Sequence, residues 1–276
     1  MKKQKHLIIS LIILIFASVL FLFPVFIVVL NSFKFKFNIN DAPFAFPTEE
    51  TFAGFENYIQ GIKSTGFASA FGYSVFVTVF SVAVILIFTS MCAWYIVRVK
   101  NLFTSVFYKT LLFSMIVPFQ MVMFTMSKTA NTLGLDNPLG LIFIYLGFGA
   151  GLSVFLFTGF VKSVPYSIEE AATIDGCSPL QTFFMVVLPL LKPCAVTVAI
   201  LQTMWIWNDY LLPYLIVGTD YKTIPIAVQY LKGGYGSVDM GALMAMLVLS
   251  IVPIVIFYLS CQKFIIKGIA AGAVKG

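Results

Sequence analysis

The chain has 276 residues, 60% hydrophobic and 10% charged, with 17 Lys and Arg against 11 Asp and Glu for a net charge of +6. A soluble domain carries roughly 45–50% apolar and about 25% charged residues, so this composition excludes a water-soluble globule and with it a soluble enzyme. The lone histidine, His6, lies in the basic N-terminal tail. With no metal-ligand cluster, no nucleophile beside a base and no GxxxxGK(S/T) loop, neither catalysis nor ATP binding by such a loop is expected of this chain.

In chain order the apolar residues fall into six blocks, Leu7–Leu30, Phe71–Val97, Phe103–Met126, Leu139–Val161, Val196–Val217 and Ala242–Phe264. Each is long enough to cross hydrocarbon, which takes about 20 residues of helix. The expected fold is all-α, with six transmembrane helices. With the N-terminus inside, eleven of the 17 Lys and Arg lie on the inner side and six on the outer, which predicts that both termini are cytoplasmic. The net charge is thus a topology signal. Nucleic-acid binding is not expected, because no basic cluster sits in an aqueous domain. The first block follows Lys2, Lys3 and Lys5 but is too long for a signal peptide and lacks a cleavage site, so it reads as a retained anchor. Residues 31–70 form an outer loop with room for a short helix around Glu56–Lys63. Two domains are read, 1–70 as anchor and extracytoplasmic loop and 71–276 as the core. Cys92, Cys177, Cys194 and Cys261 show no CxxC pair and read as small packing residues in a reducing compartment.

The inner loop 162–195 is too long for a simple turn and is dense in helix signals. Ser167-x-x-Glu170 reads as a capping box, Gly176 suits a left-handed helix end, and Ser178-Pro179-Leu180-Gln181 restarts a second capped helix. Leu180, Phe183, Phe184, Val187 and Leu188 then form one apolar stripe, and Pro189 and Pro193 break the chain. Such a capped pair reads as a docking element for a protein or as an interfacial helix pair on the inner leaflet. Few basic residues favour lipid adhesion there, and Glu169, Glu170 and Asp175 oppose it.

This loop also carries a resemblance. The run Glu169-Glu170-Ala171-Ala172-Thr173-Ile174-Asp175-Gly176, followed by Val187-Leu188-Pro189, resembles the EAA signature of the membrane subunits of ATP-binding-cassette importers. Trp207-Asn208-Asp209 and the ending Gly268–Gly276 resemble the second permease of the maltose and multiple-sugar branch, and the similarity runs from about Tyr58 to the end. The resemblance implies a type I importer permease architecture. It implies that Glu169, Glu170, Ala171, Ala172, Asp175, Gly176, Leu188 and Pro189 belong to a coupling element held by a cytoplasmic ATPase. It also implies that the tail Gly272, Ala273, Val274, Lys275 and Gly276 reaches the ATPase dimer. The implied partners are a homologous second permease, two ATPase subunits carrying the ATP and Mg, an extracytoplasmic sugar-binding protein and a carbohydrate substrate. This chain itself would hold no cofactor. Cys177 stands where Ala is usual, and Tyr73 where Asn often opens the second span.

Inside the spans, Asn208 and Asp209 read either as translocation-path residues or as interhelical hydrogen-bond anchors. Pro118, Gln120 and Pro213 could break helices beside a cavity or simply kink them, and Gln120 is a further path candidate. Gly147 and Gly151 make a GxxxG pair. The resulting reading is the permease subunit of an ATP-driven sugar importer, forming half of the pathway. A permease for a non-sugar solute such as glycerol phosphate, an ion-coupled carrier and a membrane scaffold are the alternatives. An ion-coupled carrier would need several intramembrane ionisable residues where Asp209 alone fits, and a scaffold would not need polar, proline-interrupted spans.

Overall fold

A backbone immersed in lipid must satisfy its own hydrogen bonds, and the long apolar blocks do so as helices. A computed structural model describes the backbone of residues 2–231 and 239–273 and the side chains of 7–231 and 239–263. In order the elements are α1 (Lys2–Ser32), α2 (Lys36–Asp41), α3 (Glu56–Thr65), α4 (Phe67–Arg98), α5 (Leu102–Ser114), α6 (Phe119–Thr132), α7 (Pro138–Val161) and α8 (Tyr166–Ile174). Then follow α9 (Pro179–Gln181), a π-helical segment (Thr182–Val187), α10 (Leu188–Leu190), α11 (Lys192–Asn208), α12 (Leu211–Val217), α13 (Ile224–Tyr230) and α14 (Met240–Ala273).

Among the described residues four stretches are long and apolar enough to cross a membrane unbroken: Leu7–Ser32, Phe67–Arg98, Pro138–Val161 and Met240–Lys263. The count reaches six if each of two bent helix pairs is one span. One bent pair is α5 with α6, and the other is Pro179–Leu190 with α11, which meet at 78° around Leu191. Separately, the expected fifth span is interrupted further on, so two expected spans are not straight helices. Span three is α5 and α6, which meet at 108° across residues 115–118. Pro118 lacks an N–H and takes ψ 135°, so the ladder of α5 stops and α6 starts anew from it. The expected span Val196–Val217 is broken at Asp209, whose ψ of 122° ends α11, and α12 restarts two residues later.

The chain forms two compact units, one of Met1–Ala70 with Ala227–Pro253 and the other of Phe71–Ile226 with Ile254–Gly276. In the first, the expected outer-loop helix is α3. Its Asn57 donates from Nδ2 to the carbonyls of Ser32 (2.9 Å) and Lys34 (2.8 Å), and Lys34 Nζ donates to the Ala42 carbonyl (2.9 Å). These bonds fix the exit of α1, and Phe33 packs its ring against Phe52, Phe55 and Tyr58. A Cβ on Gly61 would stand 2.7 Å from Met246 Cε, so only glycine lets α3 lie this close to α14.

The second unit packs around Ile85, Tyr145, Phe157, Phe183, Val187, Leu191 and Val198, all buried. Helix α7 is central because glycine lets its neighbours approach. A Cβ on Gly149 would lie 2.8 Å from Ile85 Cδ1 of α4, and one on Gly151 2.8 Å from the Leu111 carbonyl of α5. Gly147 has no neighbour within 4 Å of that position, so the expected GxxxG pair is not the contact surface. The glycines that face partners are two residues apart, each against a different helix.

Candidate functional site

Loop 162–195 folds as two short helices joined by a tight turn. Helix α8 begins after Pro165, which is extended at ψ 132° and makes no side-chain cap. The expected Ser167–Glu170 capping box is therefore absent: Ser167 already lies inside the first turn, two residues past the cap position at Pro165. At the other end the Asp175 N–H donates to the Ala171 carbonyl (2.9 Å) and the Gly176 N–H to that of Thr173 (3.0 Å). Gly176 takes φ +85°, as a left-handed helix end requires. The second capping box does form: Ser178 accepts from the Gln181 N–H, Gln181 Oε1 accepts from the Ser178 N–H (2.8 Å), and Pro179 opens the helix.

That helix widens at once into the π segment, where the Leu188 N–H reaches back five residues to the Phe183 carbonyl. The apolar stripe divides as a result. Phe183 and Val187 are buried, with Phe183 against the Trp94 ring at 5.5 Å, whereas Leu180 and Phe184 are exposed. Leu188 is half-buried and Pro189 exposed.

The two glutamates part ways. Glu169 is 4% exposed and points into the protein. Its Oε1 accepts from Arg98 Nη2 (2.6 Å) and Nε (2.9 Å), and its Oε2 from Trp94 Nε1 (3.0 Å). Arg98 also donates to the Val164 carbonyl (2.9 Å) and lies 5.6 Å from the centre of the Tyr166 ring. Both partners come from the last turns of α4, so α8 is bolted to the end of a long helix by a forked, charge-assisted contact. Glu170, Ala171, Asp175 and Gly176 are exposed, and Ile174 is 86% exposed. Ala172 is buried, so its methyl faces the chain's own interior rather than an external cleft. Sequence reasoning counted Arg98 only as a topology signal and passed over Trp94; a lone Arg closing an apolar block was the available sign.

The break after α11 is the second polar feature. Asp209 Oδ1 accepts from the Leu211 (3.1 Å) and Leu212 (3.3 Å) N–H groups, starting α12, while Oδ2 accepts from the Tyr145 hydroxyl (3.1 Å) on α7. Asn208 is exposed and returns its Nδ2 to the Met204 carbonyl (2.7 Å). Gln120 is exposed on the first turn of α6. Gln202, which sequence reasoning missed, is buried and donates to Ser153 Oγ (3.0 Å) and the Gly149 carbonyl (3.3 Å). Val274, Lys275 and Gly276 lie outside the described residues, as do the side chains of Gly272 and Ala273.

A multi-pass helical membrane protein with a turned-out, internally braced loop is the class these features define. Residues 85–271 match the family described as "Binding-protein-dependent transport system inner membrane component", and the chain belongs to it. It is 38% identical over 260 residues to the probable starch degradation products transport system permease protein AmyC of Thermoanaerobacterium thermosulfurigenes, covering 94% of this chain and 93% of that one. It is 36% identical to the multiple sugar-binding transport system permease protein MsmG of Streptococcus mutans, with the same coverage. A chain from the crystal structure of a bacterial ABC transporter that imports the acidic polysaccharide alginate shares the fold. The match has a TM-score of 0.74 at 23% identity, over 95% of this chain and 97% of that one. The protein is thus a non-enzymatic, membrane-spanning permease component of an ATP-binding-cassette importer.

Proposed function

We propose that this chain is one of two homologous permeases of a sugar importer and that it receives the work of ATP hydrolysis through α8. The observation that carries the coupling role is the orientation of that helix. Glu169 is bolted inward to α4, while Glu170, Ala171, Ile174 and Asp175 stand out for a partner. A helix held only by lipid would not need a buried ion pair behind it. In this reading a cytoplasmic ATPase dimer holds the ATP and Mg and grips the exposed face. The Arg98–Glu169 contact passes its displacement to α4, and the transmembrane helices rock around a central path. Both termini and the 162–195 loop are cytoplasmic, consistent with the bias of Lys and Arg.

The relatives named for starch products and for multiple sugars support a saccharide as the solute, delivered by an extracytoplasmic binding protein. Asn208 and Gln120 are the path candidates still exposed in this chain, whereas Asp209 is committed to Tyr145 and to the start of α12. The test is co-purification from cells expressing the whole operon, followed by uptake of labelled oligosaccharide into vesicles. Recovery of a stable assembly with an ATPase, and uptake that needs ATP, are expected. Uptake driven by an ion gradient in the absence of ATP would contradict the reading.

A further inference from the structure

A cavity of about 640 Å³, lined by Arg98 but not by Glu169, opens where α4 and α7 end and α5 begins. Its wall carries Arg98, Lys100 and Lys162, with Asn101, Ser105 and Tyr108 as neutral hydrogen-bonding groups, and no carboxylate lines it. Arg98 is answered by Glu169, the single ion pair among the described residues. Lys100 and Lys162 have no such partner, yet they are held around one cavity by two different connections of the chain. Beside the cavity, α5 turns Leu102, Phe103 and Val106 outward, 81%, 68% and 53% exposed. A cationic basin walled by Ser105 and Tyr108 of the same helix that exposes Leu102, Phe103 and Val106 matches an amphiphile, with its anionic head among the lysines and its chains along α5. Basic pockets between helix ends at a membrane surface hold such headgroups, and each Lys near the surface contributes about 1 kcal/mol toward anionic lipid.

We propose that this cavity binds a phosphate oxyanion, that of an anionic phospholipid headgroup in the leaflet bordering the ends of α4 and α7. The hydroxyls of Ser105 and Tyr108 and the Asn101 amide supply hydrogen bonds to the phosphate, and the two lysines supply the charge. The site requires only that this end of the bundle meet a membrane surface, and it stands independently of coupling to an ATPase.

Native mass spectrometry of the full chain, purified in neutral detergent, tests it with three probes: phosphatidylglycerol, phosphatidylcholine and inorganic phosphate. Retention of phosphatidylglycerol over phosphatidylcholine is expected, falling roughly tenfold or more in Lys100→Gln/Lys162→Gln. The control Lys109→Gln/Lys192→Gln, which removes the same charge from exposed positions outside the cavity, is expected to retain the lipid. Equal retention by both double variants would overturn the site in favour of general charge. Inorganic phosphate binding as well as the lipid would overturn the headgroup assignment, and no preference between the two lipids would overturn the proposal altogether. Both lysines are exposed, so unaltered elution and helicity are expected to accompany the loss.

Discussion

A carboxylate 4% exposed persists only where its charge and lone pairs are met, and Glu169 is met by two nitrogens of Arg98 and by the Trp94 indole. Removing one member of such a pair strands the other, at a cost of about 3–5 kcal/mol for a fully buried pair. The Arg98 side chain is 17% exposed, which places this case at the lower end of that range. Arg98→Ala and Glu169→Ala are each expected to lower the unfolding midpoint of the purified protein by several degrees. Glu169→Gln is expected to be milder, because an amide oxygen can still accept from one partner. An Arg98→Ala protein as stable as the parent would remove the brace from the account. Gly176 makes a different demand. No heavy atom lies within 4 Å of where its Cβ would stand, so the penalty of substitution comes from φ +85° and not from crowding. The expected cost is about 1–2 kcal/mol for any β-carbon, so Gly176→Ala and Gly176→Leu should impair uptake alike. Normal uptake with Ala and none with Leu would mean that bulk, not backbone conformation, limits this turn.

Helix ends and breaks decide the elements. Asp209 starts α12 and ties it to α7 through Tyr145, so Asp209→Asn, which keeps an acceptor for the two N–H groups, is expected to be milder than Asp209→Leu. Equal and complete loss of uptake in both would point to a required negative charge. The turn at Gly176 and the box at Ser178 were legible in the sequence because both are local: a few adjacent residues set the backbone. The break of span five at Asp209 was not, because the apolar run resumes through Leu211–Val217 and hydropathy averages across the interruption. Pro118 announced a discontinuity but not its 108° angle, which depends on what the two helices pack against. Likewise Gly147-x-x-x-Gly151 was visible as a pattern, yet which glycines face a neighbour is a property of the neighbour. The choice between Glu169 and Glu170 as the inward residue belongs to the same class: it turned on Arg98, 71 residues away. Gly151→Val, set against the Leu111 carbonyl and Met115 Cγ, is expected to separate α7 from α5 and lower yield in the membrane, whereas Gly147→Val is expected to be neutral. Equal yields for the two would contradict the packing at Gly151.

At the scale of the whole molecule, apolar spans set the class, and the proposed coupling role turns on one turned-out helix. Helix α1 exposes nearly its whole apolar length, as suits surroundings of lipid or a second permease. The coupling claim rests on the exposed face of α8, where Ile174 is 86% exposed beside Ala171 while Ala172 turns inward. Cysteine cross-linking in the assembled importer tests it most directly, with single cysteines at Ile174, Ala171 and Ala172 against one placed in the helix-binding cleft of the ATPase. Ile174→Cys and Ala171→Cys are predicted to cross-link, with a yield that changes on adding ATP, while Ala172→Cys stays unmodified inside the chain. No cross-link at Ile174 or Ala171, with labelling of both by lipid-phase reagents instead, would place α8 on the membrane and contradict the coupling role.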